Sequence, residues 1–95
     1  MKSYTKIYLR FFGYLSDEFI ECECCGKKAV DIHHIVARNQ DKSLLNEITN
    51  LIALCRHCHE VYGDKKQYMT FLQNIHLKNI EWNKKDSRYK THPTS

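Results

Sequence analysis

Two Cys-x-x-Cys pairs, Cys22/Cys25 and Cys55/Cys58, stand 29 residues apart in a chain of 95. Two intervening residues let both sulfurs of a pair reach one tetrahedral ion, so the pairs read as knuckles that together close a structural Zn²⁺ site. Gly26 lets the chain turn out of the first knuckle. Cys24 is surplus: adjacent cysteines do not easily chelate one ion, so Cys22 and Cys25 are the expected ligands, with Cys24 as the stand-in for either. A chain this short buries only roughly 60–65% of its unfolded surface. A zinc site worth on the order of 10–16 kcal/mol would fix a fold whose apolar core alone is marginal. The N-terminus lacks a signal peptide's apolar segment, and five cysteines without one predict a reducing, cytoplasmic setting.

Between and beside the knuckles lie the residues with chemistry. Ala29 to His33 alternates, with β-branched positions, as a short strand, and Asn50 to Leu54 is a second, apolar strand running straight into Cys55. Arg56 to Tyr62 is expected to be helical, with Gly63 as its stop. Adjacent residues on a strand point to opposite faces, so His33 and His34 should have different jobs. One can hold a metal while the other presents a free nitrogen to a water, a task an imidazole titrating near 6.5 suits at neutral pH. His59, beside a zinc ligand, could reach the same metal, and Asp31 could orient His33. Spacing alone also allows His33 or His59 to replace a cysteine at the zinc, with His34 as a surface residue.

The flanks read as helices. Ile7, Tyr8, Phe11, Phe12, Leu15 and Phe19 recur at spacings of three and four, a stripe for packing on the core that Gly13 weakens from inside. One helical turn is plausible at Ser43–Asn46. Asp64 to Gln67 is a start signal of capping-box type for a second amphipathic helix through Tyr68, Phe71, Leu72 and Ile75. One domain over residues 1–82 and a basic tail over 83–95 are expected. The net charge of +4 divides into +3 on residues 1–15, +3 on 83–95 and −2 between. Basic arms around a near-neutral centre suit a polyanion gripped on either side, or merely solubilise the ends. No apolar run approaches the roughly 18–20 residues of a membrane span.

The order Cys-x-x-Cys-Gly, Asp-Ile-His-His-Ile, then Asn-Leu-Ile-Ala-Leu-Cys-x-x-Cys-His resembles the zinc-knuckle branch of the HNH endonucleases, over roughly residues 22–63. The resemblance implies an α+β fold: a small zinc-stapled ββα-metal (His-Me finger) core with flanking N- and C-terminal helices. It implies hydrolysis of DNA phosphodiester bonds with His34 as general base and Asn50 bracing the loop between the strands. His33 and His59 match the ligands of a catalytic divalent ion, Mg²⁺ or another, and Cys22, Cys25, Cys55 and Cys58 match the structural zinc set. Arg38 sits where the family often has a basic residue near DNA, and Arg56, Lys84 and Lys85 are further candidates for phosphate contact. Implied products carry 5′-phosphate and 3′-hydroxyl ends. DNA is the implied partner, and a homodimer or a larger phage or restriction assembly are settings in which such small proteins occur. The loop after Arg38 lacks the glycine-containing turn common in the family, which leaves target choice open. Two other readings use the same features: a zinc-stabilised DNA-binding module without cleavage, and a protein-interaction domain docking through the aromatic N-terminal helix.

Overall fold

The computed structural model describes residues 2–15 and 17–85, and of Lys84 and Lys85 the backbone alone. In chain order come α1 (Ser3–Phe12), β1 (Asp31–His34), β2 (Leu51–Leu54), α2 (Arg56–Tyr62) and α3 (Met69–Lys85). Single 3-10 turns lie at Lys42–Leu44, Ile48–Asn50 and Lys66–Tyr68. The architecture is α+β, a two-stranded antiparallel sheet with helices on both faces.

Register decides what each face carries. Asp31 pairs with Leu54, Ile32 with Ala53, His33 with Ile52 and His34 with Leu51. Every residue of β2 is fully buried, so both faces of that strand are covered. Leu51 and Ala53 pack with Tyr8 and with Ile7 and Phe12 of α1. Ile52 and Leu54 face the other way, onto Cys22, Ile35, Cys55, Cys58 and Leu72. Each large aliphatic buried there contributes about 1.5–3 kcal/mol. The Asp31 and His33 side chains therefore lie on the α2 face of the sheet, and His34 on the α1 face.

The N-terminal helix is shorter than its stripe of apolar residues suggests. It ends at Gly13, which takes a left-handed φ of 76°; the Gly13 amide bonds the Arg10 carbonyl and the Tyr14 amide bonds the Leu9 carbonyl. Gly13 is thus a C-terminal cap and not an interior defect, and Leu15 and Phe19 beyond it are exposed. The start of the last helix also differs. Asp64 caps nothing: the 3-10 turn that follows begins after Lys65 without a side-chain cap, and α3 starts only at Met69. At its far end α3 includes Asn83, Lys84 and Lys85, past the point where the apolar pattern fades. The rest of the expected tail, 86–95, lies outside the described residues. The expected turn near Ser43 is a 3-10 turn, with Asp41 accepting from the Ser43 amide at 3.0 Å.

The buried stripe of α3 is Leu72, His76 and Ile80, with a histidine at its centre that is wholly inaccessible. His76 Nδ1 lies 2.8 Å from Glu23 Oε1, and Nε2 lies 2.6 Å from the Ile48 carbonyl. Glu23, only 6% exposed, also accepts from the Tyr8 hydroxyl at 2.6 Å and from Asn79 at 3.0 Å. One carboxylate on the first knuckle therefore ties together α1, α3 and, through His76, the residue two before Asn50. Burial, reinforced by Glu23, pushes the Tyr8 phenol far above the usual range, so it acts here as a donor.

Candidate active site and metal centre

The four sulfurs of Cys22, Cys25, Cys55 and Cys58 all lie within 4.8 Å of one another. A tetrahedral Zn²⁺ with bonds of about 2.3 Å would set its sulfurs about 3.8 Å apart, and Cys25 and Cys55 stand at 3.6 Å. The donor set and its spacing are compatible with one zinc ion. Cys55 caps α2, its sulfur accepting from the Cys58 amide at 3.4 Å, and that bond leads the causes that hold its thiol down to about 7. Such a sulfur is ready to bind as thiolate. Cys24 is outside the cluster, and burial pushes its thiol up to about 12. Neither His33 nor His59 joins the four sulfurs.

A cleft of about 500 Å³ opens along β1, and Tyr4, His33, His34, Arg38, His59 and Asp64 are among its walls. His33 and His59, from β1 and α2, have ring centroids 4.9 Å apart. Together with Asp64 they present three ligand atoms within 4.8 Å of one another. Burial lowers the pKa of His33, and that of His34 falls for the same reason, so both favour the neutral ring that can donate a lone pair. Asp31 does not reach His33. Its carboxylate stands 3.1 Å from His59 Nδ1 instead, which leaves Nε2 as the lone-pair nitrogen of that ring.

His34 is held from two sides. Its Nε2 donates to the Leu45 carbonyl at 2.9 Å, the only role open beside an acceptor, so the neutral ring keeps its lone pair on Nδ1. Tyr4 of α1 packs edge-on against the ring at a centroid distance of 4.5 Å. Asn50, 5% exposed, accepts from the Val36 amide at 2.8 Å and donates to the Val36 and Leu44 carbonyls at 3.1 and 3.3 Å. It thereby fixes the segment whose next carbonyl, Leu45, holds His34.

A family model described as HNH endonuclease matches residues 22–65. That segment belongs to the HNH endonuclease family. The HNH segment contains both knuckles, both strands, α2 and every histidine of the cleft. The chain is also 31% identical over 75 residues to a mitochondrial DNA mismatch repair protein, a mutS homolog, of Sarcophyton glaucum. The match takes in 73% of this chain and 8% of that protein's length. No solved structure gives a significant match.

Of the basic residues singled out in the sequence, Arg38 lines the HNH cleft, whereas Arg56 is exposed at the start of α2 and outside the lining. The side chains of Lys84 and Lys85 lie outside the described residues. Sequence reasoning missed Tyr4, three residues before Ile7 and in phase with the apolar stripe, and Asp64, which read as a helix start. Among the described residues no helix is long and apolar enough to cross a membrane.

Proposed function

We propose that this chain is a metal-dependent DNA endonuclease, a single nuclease domain over residues 1–82 followed by a basic segment. The observation that carries the reading is the state of His34. Its Nε2 proton is committed to the Leu45 carbonyl, and it stands in a cleft shared with the imidazoles of His33 and His59. A neutral imidazole so pinned has one task left, to accept a proton at Nδ1, and general-base assistance of this kind is worth about 10²–10⁴-fold.

In this reading His34 takes the proton of the attacking water, and Asn50 keeps it oriented by bracing the Val36 and Leu44 backbone. His33 and His59 hold a divalent ion, Mg²⁺ or a transition ion, with Asp31 fixing the His59 ring. When bound, that ion supplies charge neutralisation on the phosphate and stabilises the leaving oxygen. The products are 5′-phosphate and 3′-hydroxyl ends, as the family resemblance implies. Cys22, Cys25, Cys55 and Cys58 hold Zn²⁺ as a staple. Arg38 contacts a phosphate beside the scissile bond, and Arg56, Lys84 and Lys85 contact the backbone further out. DNA is favoured as the polymer because the relative aligned over most of this chain is named a DNA mismatch repair protein.

The test is plasmid cleavage by the zinc-loaded protein with Mg²⁺ or Mn²⁺, beside a His34→Ala variant of equal zinc content. Nicked or linear product that disappears in the variant and in chelator supports the nuclease. Retardation of DNA by both proteins, with no cutting under any divalent ion, replaces it with a zinc-stabilised binding module.

A further inference from the structure

Asp64 has no structural job that accounts for its conformation. Its φ of 59° makes it the only non-glycine residue with positive φ among the described residues. A left-handed aspartate costs about 1–2 kcal/mol unless something repays it locally. No capping bond does so: the 3-10 turn after it, Lys66–Tyr68, has no side-chain cap. The carboxylate is directed into the cleft instead, with Oδ2 4.0 Å from His59 Nε2.

The preceding residue shows how it gets there. Gly63 passes directly over His59, and a Cβ at Gly63 would collide with the His59 ring and carbonyl. A residue without a side chain lets the chain fold back over the ring, and the left-handed step at Asp64 then turns its carboxylate toward the nitrogen that Asp31 leaves free. Three donors converge: His33, His59 Nε2 and Asp64, each within 4.8 Å of the others.

We infer that Asp64 is a third protein ligand of the divalent ion in this cleft, joining His33 and His59. The inference rests on the reading that those histidines hold an ion there. Its consequence is chemical selectivity. Two imidazoles and one carboxylate, placed on one side, leave the remaining positions for water and phosphate oxygens. A nitrogen-rich set of this kind suits Mn²⁺, Co²⁺, Ni²⁺ or Zn²⁺ better than the all-oxygen preference of Mg²⁺. The carboxylate also removes one unit of positive charge from the site, tightening the ion's hold.

The experiment is Mn²⁺ binding to the zinc-loaded full chain, followed by electron paramagnetic resonance of the free ion, in parallel with thermal melts. Asp64→Asn keeps a residue that tolerates left-handed φ, and Asp64→Gly removes both the ligand and the strain. Both are expected to weaken Mn²⁺ binding at least about 10-fold, while Asp64→Gly melts no lower than wild type without Mn²⁺. Mn²⁺ should bind the wild type more tightly than Mg²⁺ does in competition. If His33→Ala abolishes binding and both Asp64 variants bind as wild type does, Asp64 is not a ligand. Binding unchanged in His33→Ala overturns the assignment of the histidine site itself.

Discussion

Asn50 bonds both backbone groups of Val36 across the loop between the strands, accepting at 2.8 Å and donating at 3.1 Å. Its third bond, to the Leu44 carbonyl, fixes the residue beside the one that holds His34. Asn50→Ala leaves a buried amide and two carbonyls without that partner. A loss of about 2–4 kcal/mol in urea unfolding is expected. Cleavage should fall further than the folded fraction does, because the Leu45 carbonyl drifts from the His34 ring. Cleavage that only tracks the folded fraction would reduce Asn50 to a structural brace.

His34→Ala removes the lone pair but neither a sulfur nor a metal-facing nitrogen. Plasmid cleavage should drop by about 10²–10⁴, with zinc content by mass spectrometry and Mn²⁺ affinity both retained. A matching loss of Mn²⁺ affinity would move His34 from the base to the ligands.

Cys24 and Cys25 are neighbours with different fates. Cys24→Ser should keep one zinc per chain, since its sulfur is outside the cluster of four. Cys25→Ser should lose zinc and unfold at low temperature, as should wild type stripped by a strong chelator. Native mass spectrometry with far-UV circular dichroism reads both, and zinc lost from Cys24→Ser would reassign the knuckle.

Glu23 and His76 form a pair at 2.8 Å with essentially no access to water. His76→Leu removes one of the three side-chain donors to this buried carboxylate and should cost about 3–5 kcal/mol. The double variant Glu23→Gln with His76→Gln should cost less than the sum of its single changes. Additive costs would mean the two side chains act independently.

Asp31→Asn tests the orientation of His59 without touching the metal-facing nitrogen. Mn²⁺ affinity should fall about 10- to 100-fold while the melting temperature stays near wild type, because the Asp31 side chain is 52% exposed.

The strands and α2 were legible because their signals are local: alternation in β1, an apolar run in β2, and Gly63 after a short helix. The ends of the flanking helices were not. Gly13 reads as a helix-interior penalty unless the left-handed cap it forms is known, and Asp64–Gln67 matches a capping box by spacing while its aspartate turns into the cleft. His76 looks like a polar position on a surface helix; its partners lie 53 and 28 residues away, a separation no periodicity reveals. The same limit explains Asp31, whose strand alternation places it correctly on the His33 face but says nothing of α2 bringing His59 closer.

His33 and His34 are consecutive, yet they rest on different cores. His33 faces α2 and the sulfur-lined cluster, whereas His34 faces α1 through Tyr4. On the proposed reading, capture of the ion and activation of the water thus have separate mechanical supports. Loosening α1 would blunt the proton transfer while the ion stayed bound, and loosening α2 would do the reverse. A single-residue slip of β1 against β2 would exchange the faces of the two histidines, and with them the two proposed roles. The sixteen residues that join the strands belong to both supports, since Ile35 packs in the sulfur-lined cluster and the Ile48 carbonyl holds His76 of α3.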